Sequence, residues 1–117
     1  MAIIFHISHP ADWEQAQTQG QYTSGSLASE GFIHCSKPGQ IIAVANRFYG
    51  GQKDLLLLAI APARVEAEIR HENTEGGDEL FPHIYGPLNL DAVTAVLPFS
   101  PDADGRFTRL PENAPGG

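Results

Sequence analysis

Residues Leu55–Ile60 read LLLLAI, six apolar side chains without a polar break. The run is too short for a buried helix and is followed closely by Pro62. Its length and continuity predict a strand covered on both faces. On its N-terminal side, Ile41, Ile42, Ala45, Phe48 and Tyr49 recur at helical spacing, and Ala43 and Val44 widen the stripe. That pattern predicts a deeply buried helix, opened by Pro38 and ending near Gly50. On its C-terminal side, residues 65–71 alternate: Val65, Ala67 and Ile69 stand opposite Glu66, Glu68 and Arg70. This is the signature of a half-exposed strand.

Farther out, residues 2–7 (AIIFHI) are short and rich in β-formers and predict a first strand. Pro10 then opens a helix to about Gln19, stopped by Gly20, with Asp12 and Glu14 near its positive end. Residues 21–31 are small and polar and read as a loop, and residues 32–36 (FIHCS) as a short strand. Residues 73–78 form a polar Gly-Gly loop. Residues 80–85 (LFPHIY) are apolar but hold Pro82, which points to an edge strand or an extended loop wall. Residues 92–99 make a last strand, and the paired prolines and glycines after Ser100 predict a poorly ordered tail over 101–117. The mixed order, without regular βαβ alternation, indicates a single α+β domain over residues 1–100 with two main helices.

The chain has 117 residues, 42% of them hydrophobic, enough for one folded core. Seven basic residues against 14 acidic ones give a formal net charge of −7. Duplex nucleic acid is bound through Lys and Arg neutralisation of phosphates, so it is disfavoured as a partner. No apolar run approaches the roughly 20 residues that cross a bilayer. The start of the chain lacks the basic segment of a signal peptide, and a single cysteine, Cys35, rules out an internal disulfide framework. The expectation is a small cytoplasmic protein.

Chemistry concentrates in three histidine-bearing segments. Side chains alternate along a strand, so parity sorts them. Ile4, His6 and Ser8 share one face; Phe32, His34 and Ser36 share another, with Ile33 and Cys35 behind; Phe81, His83 and Tyr85 point one way and Ile84 the other. Each histidine therefore sits among apolar or aromatic neighbours, which is how small-molecule sites are built. Three such settings predict one shared cleft; the alternative is three hydrogen-bonded structural histidines.

Other chemistries fit less well. His34 and Cys35 are adjacent on a strand and face opposite sides, and neither HExxH nor CxxC occurs, so no metal is expected. Cys35 shares the inward face with Ile33, the place of a small buried hydrophobe rather than a nucleophile. No glycine-rich phosphate loop is present. Ser36 precedes Pro38 and a helix start, where a hydroxyl and backbone amides can meet an anion or merely cap the helix. Arg47 is the one cation on the apolar helix and is placed either to clamp a phosphate or carboxylate or to pair with a nearby acid. Glu30, Glu72 and Glu79 flank apolar segments and are the candidate acid/base groups.

The stretch SLASEGFIHCSKPGQ at residues 26–40, followed by VANRFYGG and FPHIYGPLN, resembles a small bacterial family known as domain of unknown function 952. The resemblance runs from IFHIS through DW, GFIHCS, ANRFY, LLLL and FPHIYGPL to DGRF near Phe107, about nine-tenths of the chain. Two departures stand out. Ala61 follows the leucine-rich strand where such sequences often have an acid, and Gly39 replaces the Glu of a capping box.

The resemblance implies an ADP-ribosyltransferase-like fold, with NAD bound in a cleft between two small mixed β-sheets. It assigns His6 to the histidine that contacts the nicotinamide-side ribose, and His34 to the polar position of the second core strand. No glutamate matches the family's motif, so Glu79 or His83 would have to stand in. The catalytic candidates are therefore His6, His34 and Glu79, and the ligand-binding ones Ser36, Arg47, His83 and Tyr85. Two classes of function follow: a transferase-like enzyme acting on NAD, an ADP-ribosyl group or a 2′-phosphate, and a non-catalytic domain that binds a nucleotide or metabolite in the same cleft. An interaction module with structural histidines is the third reading. NAD enters as substrate or ligand, and the partner is a small nucleotide-like molecule, with neither membrane nor duplex nucleic acid.

Overall fold

Leu55–Ile60 forms β4, the middle strand of an antiparallel sheet of order β1–β4–β8, between β1 (Ile4–Ser8) and β8 (Val93–Phe99). The structure, a computed structural model, describes residues 2–73, 76–112, 114 and 115. His6 lies opposite Leu58 and Ile7 opposite Leu57, so the two strands show matching parity. One face of this sheet buries Ile4, Leu58 and Ile60 against Ile33, Ile84 and Leu88. The other buries Phe5, Ile7, Leu57 and Ala59 against Ile41 and Ala45. The apolar run is thus sandwiched between two cores, as its continuity predicts.

The helix over that second core, α3, spans Ile41–Tyr49. Pro38 does not begin it: residues 38–40 form a turn in which the Gln40 amide bonds the Lys37 carbonyl at 2.9 Å. At the other end of the chain, α1 (Pro10–Gln19) starts on Pro10 and ends on Gly20, whose φ of +84° suits a residue without a side chain.

A second three-stranded sheet has the order β3–β6–β5, from β3 (Ile33–His34), β6 (Phe81–Tyr85) and β5 (Glu68–Glu72). A two-stranded ribbon pairs β2 (Gln21–Tyr22) with β7 (Leu88–Asn89). The architecture is α+β in one unit, with a radius of gyration of 13.4 Å, the value expected for a chain of this length.

Several sequence expectations need correction. The described sheets number three rather than two, and every strand pair in them is antiparallel rather than mixed. Residues 21–31 hold β2 and a third helix, α2 (Gly25–Glu30), instead of only a loop. The six residues GSLASE carry a single large apolar side chain, too little for a helical period to show. The strand expected over 65–71 is shifted to Glu68–Glu72, because a 3-10 turn at Pro62–Arg64 precedes it and Val65 and Ala67 pack on the core.

β6 is a central strand and not an edge, despite Pro82. In an antiparallel sheet a residue directs both backbone groups to one neighbour. Pro82 directs its carbonyl to the Cys35 amide at 3.0 Å, just past the end of β3, so its missing N–H breaks no ladder bond there.

From residue 101 on, Phe107 is core: it is 2% exposed and its ring lies 4.7 Å from that of Phe99. The Asn46 side chain donates to the Phe107 carbonyl at 2.8 Å and accepts from its amide at 2.7 Å, pinning this stretch to α3. Residues 74 and 75 of the expected Gly-Gly loop, and 113, 116 and 117 of the expected tail, lie outside the described residues. Among the described residues no helix is long and apolar enough to cross a membrane.

Candidate ligand-binding cleft

The two three-stranded sheets meet where Phe5 and Ser36 exchange backbone hydrogen bonds, 2.7 Å from the Phe5 amide and 2.8 Å from the Ser36 amide. Beside this junction, β1, α2, the end of β3 and α3 enclose a cleft of about 830 Å³. Of the seven residues singled out from sequence, His6, His34, Ser36, Arg47, Glu79 and His83 line it. Tyr85 does not, although it shares the β6 face with His83.

His6 is the most tightly held. Its Nδ1 lies 2.6 Å from the His34 carbonyl, which can only accept, so Nδ1 carries the proton. Nε2 is then the acceptor, and the Tyr22 hydroxyl donates to it at 2.8 Å. The Tyr22 oxygen also lies 3.1 Å from Ser8 Oγ, so the polar positions of β1 form one buried network with β2. Burial pushes the His6 pKa down to about 4, against the opposing pull of the His34 carbonyl. His6 is neutral at pH 7, with both ring nitrogens engaged. Burial also pushes the Tyr22 hydroxyl upward.

The second sheet turns its polar-aromatic face to the cleft. His34 lies opposite His83, and their ring centroids are 5.3 Å apart, edge to face. Phe32 stacks on His83 at 4.2 Å and 20° and meets His34 edge-on at 4.8 Å. His34 is half exposed, with Nε2 3.0 Å from a Glu30 carboxylate oxygen at the end of α2. His83 is only 3% exposed, and its Nδ1 lies 3.0 Å from Glu72 Oε1. The Tyr85 hydroxyl donates to that same oxygen at 2.5 Å. The Tyr85 and then the His83 hydrogen bonds hold Glu72 below the usual carboxylate range, and Glu72 in turn raises Tyr85. Arg70 lies 4.4 Å over the Tyr85 ring while pairing with Glu68.

Gln40 ties the rim together. Its buried amide accepts from the Lys37 amide at 2.9 Å and donates to the Leu80 carbonyl at 2.8 Å and to Glu79 at 3.1 Å. Arg47 is in the last turn of α3, its guanidinium 4.9 Å over the half-exposed Phe48 ring. Ser36 is buried at the junction, and Cys35 beside it is 3% exposed, with burial raising its thiol pKa. Asp12, Glu30 and Glu79 share the lining with Arg47. The cleft therefore offers one guanidinium against three carboxylates. Among the described residues no group of three His, Cys, Asp or Glu converges as a metal site.

A family profile described as "Protein of unknown function (DUF952)" matches residues 7–96. The chain belongs to the DUF952 family. This DUF952 chain is similar to CC0527 from Caulobacter crescentus. The crystal structure of CC0527 and that of a double mutant each share 34% identity with it, covering 89% of this chain and 91% of that one, with a TM-score of 0.80. The solution NMR structure of CC0527 covers 91% of each chain with a TM-score of 0.78. No curated protein matches the DUF952 chain.

Sequence reasoning overlooked two cleft residues, Tyr22 and Gln40. Tyr22 left a faint signal as the sole aromatic of the polar stretch 21–31. Gln40 left none, because a buried amide in a turn looks like any surface glutamine. Glu72 was one of three candidate acids, and the structure gives it a histidine partner. Of the other two, Glu30 is tied to His34 and Glu79 to Gln40.

Proposed function

We propose that this small cytoplasmic protein binds an NAD- or ADP-ribose-like nucleotide in the cleft, the ligand class implied by the ADP-ribosyltransferase-like resemblance. The observation that carries the reading is convergence: His6, His34, Ser36, Arg47, Glu79 and His83 come from four separate segments and line one cavity. Its volume of about 830 Å³ falls in the range of small-molecule sites. Aromatic rings at Phe48 and Phe81 offer stacking surfaces, and Arg47 brings a guanidinium to the lining. His6 acts here as a fixed positioning group, since a neutral ring with both nitrogens engaged neither gives nor takes a proton. The net charge of −7 opposes a polyanion at long range, whereas one or two phosphates are held by short contacts that outweigh the screened far field.

The engaged state of His6 and the tied positions of Glu30 and Glu79 also favour the second reading, binding without catalysis. Calorimetry with NAD and ADP-ribose, with a duplex oligonucleotide as control, tests both the site and the ligand class. Saturable nucleotide binding is expected and duplex binding is not; tight duplex binding or the absence of nucleotide binding refutes the reading.

A further inference from the structure

His34 on β3 and His83 on β6 stand directly opposite each other. In the next pair along, the Cys35 amide bonds the Pro82 carbonyl at 3.0 Å. The two histidines therefore take the non-hydrogen-bonded position, where facing side chains come closest. Both line the cavity, and their ring centroids are 5.3 Å apart. Two imidazoles that share one tetrahedral cation, each bonded through nitrogen at roughly 2.0 to 2.1 Å, hold their centroids about 5 Å apart.

Each of the two rings has one nitrogen on a carboxylate. His83 Nδ1 lies 3.0 Å from Glu72, and His34 Nε2 lies 3.0 Å from Glu30. A carboxylate accepts, so these nitrogens donate, and in the neutral rings His83 Nε2 and His34 Nδ1 keep the lone pairs. Among the described residues no hydrogen bond reaches either of them. No fully buried side-chain nitrogen or oxygen there lacks a partner, so the 3% of His83 that stays exposed includes Nε2. Glu72 stands on β5, across β6 from β3. The nitrogens of an imidazole diverge, so a ring with Nδ1 turned to β5 directs Nε2 to the side of His34. Phe32 packs on both rings, and Tyr85 holds Glu72 in place. A second bond to a carboxylate, fixing ring and tautomer, is the usual setting of a metal-ligating histidine.

We propose that His34 and His83 hold one divalent transition cation of the zinc class, with Glu30 and Glu72 as positioning residues. Imidazole nitrogen suits zinc, nickel and copper, and not magnesium. Among the described residues no third ligand joins the pair, so water or a donor atom of a bound molecule fills the remaining positions. Glu30 and Glu79 in the same lining, and the net charge of −7, favour entry of a cation. The partner of His34 is on another strand and is not its neighbour Cys35, which is why spacing along the chain gave no sign of the site. The assignment stands apart from the nucleotide reading, and its test uses no nucleotide.

Chelator-treated full-length protein is titrated with Zn²⁺ and with Mg²⁺ by calorimetry. One Zn²⁺ per chain is expected, and no Mg²⁺. His34→Gln and His83→Gln should each weaken Zn²⁺ binding by at least about tenfold, and Glu72→Gln by about tenfold, the lower end for a lost outer partner of a ligand. His71→Gln, at an exposed histidine on β5, should leave it unchanged. A wild type that binds no Zn²⁺ overturns the proposal, and so does an affinity within about two-fold of wild type in any of the first three variants.

A second measurement needs no variant and so is untouched by misfolding. Zn²⁺ is added to isotope-labelled wild type and the imidazole nitrogens are followed by NMR. His83 Nε2 and His34 Nδ1 should shift together while His6 and His71 stay in place. A shift at only one of the pair, or a larger one at His71, overturns the assignment.

Discussion

Tyr22 completes the hydrogen bonding of His6 from 16 residues away, its hydroxyl 2.8 Å from the buried Nε2. Tyr22→Phe keeps the ring and removes the donor, leaving a buried acceptor unpaired. Such a loss costs about 1 to 3 kcal/mol. Urea denaturation of wild type and variant should show that difference; equal midpoints would mean that water or a neighbour replaces the hydroxyl.

The low His6 pKa makes stability depend on pH. The unfolded chain binds a proton near 6.5 and the folded one only near 4, so between these values the unfolded state holds more protons and stability falls as pH falls. The His6 contribution is fully present above the unfolded value, and about 2 kcal/mol of it is lost between pH 7 and pH 5. Comparing unfolding free energies of wild type and His6→Gln across that window isolates it. Parallel pH profiles would contradict the assignment.

Cys35 is 3% exposed, and burial holds its thiol protonated well above neutrality. Reaction with a disulfide reagent at pH 8 should be negligible in the native protein and rapid after denaturation. Cys35 borders the cleft, so rapid native modification would mean that its lining opens to the reagent.

Phe107 lies in a stretch whose composition reads as a tail but packs on Phe99. Phe107→Ala should cost about 3 to 5 kcal/mol, the range for an emptied core aromatic. Truncation after Ser100 should destabilise the protein at least as much, since it also removes the Asn46 pairing. An unchanged melting temperature on truncation would show that the stretch contributes nothing to the core.

His34 is half exposed at the cleft and tied to Glu30. His34→Ala should weaken ADP-ribose binding by one lost hydrogen bond, about 0.5 to 1.5 kcal/mol, as read by calorimetry. Equal affinity would remove His34 from the site.

The parts of this fold that were legible in the sequence are those written in continuous or alternating apolar residues. LLLLAI and the 41–49 stripe announce their burial locally, and strand parity placed Ile33 and Cys35 in the core with His34 on the opposite face. What escaped depends on long-range partners. Helix α2 is too short and too polar to show a period. β6 reads as an edge because Pro82 lacks a donor, and only the position of Cys35 beyond β3 reveals why that lack is harmless. The histidines were visible, but whether each ring was spent or available was not: His6 depends on Tyr22 and His83 on Glu72, each remote in the chain.

The paired bonds between Phe5 and Ser36 give the cleft a hinge pin at its root. His6 adjoins one end of that pin and His34 lies two residues from the other, so sliding of one sheet over the other scarcely alters their spacing. At the rim, Gln40 reaches from the start of α3 to Glu79 and the Leu80 carbonyl, so the far side is tied as well. The cavity is braced at both ends, like a frame pinned at opposite corners. A cleft so framed keeps its shape before anything enters it, which leaves little ordering for an occupant to impose.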